Sequence, residues 1–84
     1  MYEIVWKPKA LKQLRAIPVK PGRAIRKSVD TLANPSSARN VKPLKNHRYG
    51  FRMRVGNYRV LFDIRCVVKV VSIEEVRKRN ERTY

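Results

Sequence analysis

Histidine and cysteine are almost missing from this 84-residue chain, in which His47 and Cys66 each stand alone. A single cysteine excludes an internal disulfide and any zinc site built on thiolates, and it makes a reducing, cytoplasmic setting the default expectation. A single histidine excludes the paired imidazoles that most often cut RNA without a metal. His47 sits in a basic loop and reads as a surface residue, although its titration range suits proton transfer. There is no Gly-rich phosphate loop and no Gly-x-Ser-x-Gly elbow. With acids few and unclustered, neither a metal nor a cofactor is expected. No apolar run approaches the ~20 residues of a membrane span. The opening Met-Tyr-Glu-Ile-Val-Trp lacks the basic-then-apolar order of a signal peptide, so no membrane partner is expected.

What the chain has in excess is positive charge. Twenty-one Lys and Arg stand against six acids, a formal net charge of +15. Self-repulsion on that scale disfavours a compact state and asks for a polyanionic partner. Nucleic acid held through its phosphates is the first candidate, and an acidic protein masking the same surface is the second. An apolar content of 43% still supports a folded core, and the length allows one domain, residues 1–84.

Along the chain, Tyr2 to Trp6 reads as a short strand. Pro8 opens a helix to Ile17 with Ala10, Leu11, Leu14 and Ile17 at three-to-four spacing. Pro18 and Pro21 break the chain. A second helix is expected from about Gly22 to Ala33, with Ile25, Val29 and Leu32 inward, stopped by Asn34-Pro35. Ser36 to Arg48 reads as a loop. The period then changes to two: Phe51-Arg-Met-Arg-Val55 and Tyr58-Arg-Val-Leu-Phe62 flank Gly56-Asn57, the signature of a hairpin with a type II′ turn. Cys66 to Ile73 reads as a strand covered on both faces, and Glu74 to Tyr84 as a charged tail. The order βααβββ predicts an α+β domain, two helices from the N-terminal half packed on a small, mostly antiparallel sheet.

A two-residue turn at Gly56-Asn57 sets the register. Phe51, Met53, Val55, Tyr58, Val60 and Phe62 share one apolar face, and Arg52, Arg54 and Arg59 share the other. Arg54 then faces Arg59, and like charges directly opposed destabilise a sheet by roughly 0.2–1 kcal/mol. An anion bound between them removes that cost, so the ladder is read as an anion site rather than a merely solvated face. The same register with a two-residue Ile64-Arg65 turn would put Lys69 beside Val60 on the apolar face, so that turn is longer or Lys69 escapes at an edge. Lysines and arginines beside a phosphate can stabilise the charge that grows during an in-line displacement. A proton acceptor is harder to find. Tyr84 qualifies only where surrounding cations lower its pKa from ~10, and as the final residue it also reads as a frayed terminus.

These residues resemble the RelE/ParE superfamily of bacterial type II toxins, and within it the RelE-like, messenger-RNA-cleaving branch. The resemblance runs over nearly the whole chain: the opening strand, Ala-Leu-Lys-Gln-Leu in the first helix, Asn34-Pro35, Lys42-Pro-Leu-Lys45, the Arg-x-Arg-Val-Gly-x-Tyr-Arg core, and the closing Lys78-Arg79 and Tyr84. It implies a metal-independent endoribonuclease (an mRNA interferase) that cuts mRNA in the ribosome's decoding site and stops translation. In that scheme the ribose 2′-hydroxyl attacks the adjacent phosphate and leaves a cyclic phosphate. Carried over, Arg52 and Arg54 position the backbone and acidify the 2′-hydroxyl, while Arg59 stabilises the transition state. Arg79 assists the leaving oxygen, with Lys78 able to take its place. Tyr84 stacks on a base and serves as general base. Lys42, Lys45, Arg48 and Lys78 add RNA contacts. The chain departs from the family where His or Gly-His often precedes the tail arginine, since Arg77-Lys78 stands there. The resemblance also implies an acidic antitoxin in a hetero-oligomer. The competing readings are a ParE-like inhibitor of DNA gyrase and a non-catalytic RNA-binding protein.

Overall fold

The computed structural model describes residues 1–79. Strand β1 (Glu3–Trp6) leads into helix α1 (Pro8–Arg15) and helix α2 (Val19–Asp30), after which come β2 (Val41–Pro43), β3 (Phe51–Val55), β4 (Tyr58–Arg65) and β5 (Val70–Lys78). The five strands form one sheet in the order β1-β5-β4-β3-β2. β1 runs parallel to β5, and every other neighbouring pair is antiparallel. This is the expected α+β architecture with one additional strand.

Both helices cover the same face of the sheet. Ala10 and Leu14 of α1, and Ile25 and Val29 of α2, recur at helical spacing and are buried against Met53, Val60, Phe62, Val71, Ile73 and Val76. Phe51 and Phe62, register partners on β3 and β4, stack with ring centroids 5.7 Å apart. β1 stops at Trp6, and the Lys7 amide closes the pairing on the Ile73 carbonyl. Beyond Ile73 the flank of β5 is therefore free of a strand. There α1 takes over, and Gln13 Oε1 accepts the Val76 amide at 2.8 Å.

The structure moves several expected boundaries. α2 begins at Val19 rather than Gly22. Pro18 and Pro21 do not break it, because the amides of a first helical turn have no partner within the helix and a missing one costs nothing there. α2 ends at Asp30, and Thr31–Ala33 continues as a 3-10 turn. The expected loop contains β2, three residues long with a proline at its end; such a short strand has no periodicity to show and tolerates proline only because it lies at an edge. The strand expected over Cys66–Ile73 starts at Val70 and runs on to Lys78. Residues 66–69 are a turn, with Val67 98% exposed. Lys69 occupies that longer turn at φ +55°, so it never enters the apolar face.

Candidate nucleic-acid interface

The face of the sheet away from the helices carries the charge, and the register lays it out in rows. Nearest the hairpin turn, Arg54 of β3 pairs with Arg59 of β4, and Arg59 pairs with Arg77 of β5. In the next row Lys42 pairs with Arg52, Arg52 with Leu61, and Leu61 with Glu75. Gly56 sits at φ +57° in the first turn position, the conformation a type II′ hairpin requires, and this fixes the Arg54–Arg59 register.

A β-bulge puts Arg77 in line. Leu61 pairs with Glu75 but Phe62 pairs with Ile73, so Glu74 is an extra residue without a partner on β4. Val71 and Ile73 point into the core. Strict alternation from them would send residues 75, 77 and 79 inward too. The inserted residue reverses the parity, so Val76 enters the core while Glu75 and Arg77 share the face of Arg59. The Glu74 carboxylate accepts the Ser72 hydroxyl at 2.8 Å beside the bulge. Arg79 follows on the same side. Its amide donates to the Asn57 carbonyl and its Nη1 to the Gly56 carbonyl at 3.1 Å, which pins the end of β5 to the hairpin turn.

Four arginines expected at the site are thereby gathered in one field. Burial, followed by the charges of Arg54, Arg59 and Arg79, lowers the pKa of the half-buried Arg52 guanidinium from its usual range. The group stays charged, so the surface carries an electrostatic cost that a bound anion relieves. Lys42 joins the cluster as the partner of Arg52. Lys45 and Arg48 are exposed on the loop before β3, with the Arg48 guanidinium 5.6 Å from the centre of the Tyr49 ring. Lys78 is set apart. It pairs with Tyr58 and lines a groove on the helix side with Lys20, Pro21 and Val55. Tyr84 lies outside the described residues.

Three residues that sequence reasoning passed over complete the face. Leu61 points away from the core yet is only 3% exposed. Tyr49, close to Glu75, is likewise buried, 9% exposed. Burial, then the neighbouring Glu75 carboxylate, raises the Tyr49 pKa. The loop bearing it is tied down on both sides. The Leu44 amide donates to the Gly50 carbonyl at 2.8 Å, the Tyr49 amide to His47 Nδ1 at 3.0 Å, and the Gly50 amide to Asp63 Oδ1 at 2.7 Å. A Cβ at Gly50 would meet Asp63 Oδ1 at 3.2 Å, so the close approach favours glycine. Glu75, 8% exposed, receives Lys9 Nζ at 3.5 Å and Arg77 Nε at 3.7 Å. Both ion pairs among the described residues end on this one carboxylate. A strand ending at Ile73 hid Arg77 and Glu75; the signal available was the continued β-propensity of Val76 after the two glutamates.

The arrangement can hold the phosphate backbone of a nucleic acid and concentrate positive charge on one of its phosphates. Among the described residues there is no group of three or more His, Cys, Asp and Glu placed to hold a metal, and no helix is long and apolar enough to cross a membrane.

The helix-backed sheet has the fold of solved RelE toxins. The RelE–RelB complex of the archaeon Pyrococcus horikoshii OT3 superposes with a TM-score of 0.80 at 23% identity, covering 96% of this chain and 98% of that one. The RelBE2 toxin–antitoxin complex of Mycobacterium tuberculosis gives 0.78 at 25% identity, covering 93% and 98%. The intact RelBE complex of E. coli gives 0.77 at 22% identity, covering 98% and 100%. No curated protein matches the chain in sequence. Residues 4–82 match the family model for the ParE toxin of the type II toxin–antitoxin system parDE, so the chain belongs to that family and is a type II toxin of the RelE/ParE superfamily.

Proposed function

We propose that this toxin is a ribosome-dependent endoribonuclease that cleaves mRNA in the decoding site and thereby inhibits translation. The observation that carries the reading is the row Arg54–Arg59–Arg77, with Arg52 and Arg79 around it and the Glu75 carboxylate paired to Arg77 at the β5 end, away from Arg54 and Arg59. A phosphodiester seated on the row has its non-bridging oxygens against guanidinium donors. As the ribose 2′-oxygen bonds to phosphorus and the bond to the 5′-oxygen breaks, negative charge grows where Arg54 and Arg59 converge. The 2′-hydroxyl proton leaves to a base and the departing 5′-oxygen takes up a proton, closing a 2′,3′-cyclic phosphate. Arg52 acidifies the 2′-hydroxyl, and Arg79, held at the turn, assists the leaving oxygen. Tyr84 is the proposed general base, with Lys78 or another group as the alternative. Lys42, Lys45 and Arg48 bind flanking RNA. The protein acts in the cytoplasm, without metal, and is held inactive by an acidic antitoxin that covers the arginine face.

The alternative is a ParE-like gyrase inhibitor, favoured by one observation, the family model that the sequence matches. Purified toxin added to ribosomes programmed with a defined mRNA separates the two, alongside a DNA gyrase supercoiling assay. Cleavage of the message only when ribosomes are present, with supercoiling unaffected, supports the nuclease. Intact message with supercoiling blocked overturns it.

A further inference from the structure

The arginine row does not stop at the edge of β3. The Arg54 amide donates to the Asn40 carbonyl, which places Asn40 at the outer end of the row. Beyond it, between the end of α2 and the β2–β3 edge, opens a notch of about 270 Å3 lined by Ser28, Thr31, Ser37, Arg39, Asn40 and Arg54, with Met53 at its floor. Asn40 and Arg54 also line a shallow depression on the open face with Lys42 and Arg52, so notch and arginine face are continuous. Of the seven lining side chains, all but Met53 carry a hydrogen-bond donor, and none carries a negative charge. Thr31 and Ser37 donate to the backbone carbonyls of Ser28 and Asn34. Arg39, Asn40 and Ser28 make no side-chain hydrogen bond of their own among the described residues and are available to a ligand.

A concave site with one guanidinium, an amide and a hydroxyl matches a phosphodiester, whose two free oxygens accept from a guanidinium fork and a neutral donor together. Neighbouring strands are spaced by ~4.8 Å, so the notch lies about 10 Å from Arg59, two strand steps away. That separation suits another phosphate of the same single strand rather than a second ligand.

We infer that the notch at Arg39, Asn40 and Ser28 is a second phosphate subsite, and that the RNA crosses the sheet from Arg59 over Arg54 and Asn40 into it. The inference rests on the nuclease reading, but its test does not depend on cleavage. Arg39 is exposed and outside the core, so Arg39→Gln folds normally.

The probe is a set of short single-stranded RNAs made uncleavable by 2′-deoxy substitution. Each carries one neutral methylphosphonate at a different linkage, and binding is read by fluorescence anisotropy at several salt concentrations. Against the fully charged RNA, Arg39→Gln is expected to weaken binding about tenfold, the scale of one charge-assisted contact. It should also flatten the slope of log K against log salt by about 0.7. One linkage should be sensitive to neutralisation in the wild type and insensitive in Arg39→Gln. Arg23→Gln, on the exposed face of α2, should leave that linkage sensitive. The proposal is overturned if every linkage sensitive in the wild type stays equally sensitive in Arg39→Gln, or if the wild type does not bind the RNAs at all. It is equally overturned if Arg39→Gln loses affinity for a polyglutamate peptide while RNA binding is unchanged, since the notch then serves an acidic protein. Cleavage of message on the ribosome by Arg39→Gln, judged separately, keeps failure of the subsite distinct from failure of the nuclease reading.

Discussion

Arg54 and Arg59 are direct partners across the β3–β4 hairpin, and the Arg54 amide turns away from Arg59 to bond Asn40. They are therefore a non-hydrogen-bonded pair, the kind whose Cα atoms approach to ~4.5 Å and whose side chains lie closest. A sheet that needed only a solvated face gains nothing from two guanidinium groups there, and Arg77 extends the same row.

Arg59→Ala removes the centre of that row. Message cleavage on ribosomes should fall by roughly 10²–10³. Stability should hold or rise slightly, since relief of like-charge opposition is worth about 0.2–1 kcal/mol. Single-turnover cleavage together with urea denaturation checks both. A variant that loses activity only by losing its fold would show the row to be structural.

Deletion of Glu74 tests the bulge. Without the extra residue, Ile73 is followed directly by Glu75, and plain alternation keeps Val76 in the core and Glu75 and Arg77 on the face of Arg59. The deletion should therefore keep a cooperative thermal transition, losing only the local kink of the bulge. Glu74→Ala keeps the residue count and gives up only the contact with Ser72, so it should melt close to the wild type. A deletion that loses the cooperative transition would contradict the reading of Glu74 as an extra residue in an otherwise regular register.

Tyr49→Ala should destabilise the fold by about 3 kcal/mol, in the range of large aromatic truncations, because the Tyr49 side chain is buried. Tyr49→Phe keeps the buried ring and should cost at most about 1 kcal/mol. The Tyr49 pKa is raised in the folded state. The unfolded chain therefore gives up the phenolic proton first, and the stabilisation is complete below the ordinary value of ~10 and lost as pH climbs above it. Denaturation midpoints measured from pH 9 upward should fall for the wild type and fall less for Tyr49→Phe.

Gln13→Ala strips the Val76 amide of its partner on the strand-free flank of β5. An unsatisfied, part-buried donor costs about 1–3 kcal/mol. The m-value should be unchanged and the urea midpoint lowered. An unchanged midpoint would mean that water replaces the glutamine without loss.

The sequence made the hairpin readable because period-two alternation and a Gly-Asn turn specify one register, and Arg54 opposite Arg59 followed from it directly. Arg77 was not legible. Its face depends on a bulge, and a bulge is a one-residue offset between two strands that neither strand carries alone. β2 was hidden for a related reason, since three residues ending in Pro43 become a strand only beside β3. Tyr49 and Glu75 meet across a loop closed by Asp63, a contact no periodicity encodes.

The central claim, that the arginine row carries RNA-cleaving chemistry, is tested most directly by mapping mRNA 5′ ends after a brief pulse of expression in bacteria. The account predicts new ends phased to codons within translated regions, abolished by Arg59→Ala. Intact transcripts accompanied by inhibited DNA supercoiling would contradict it.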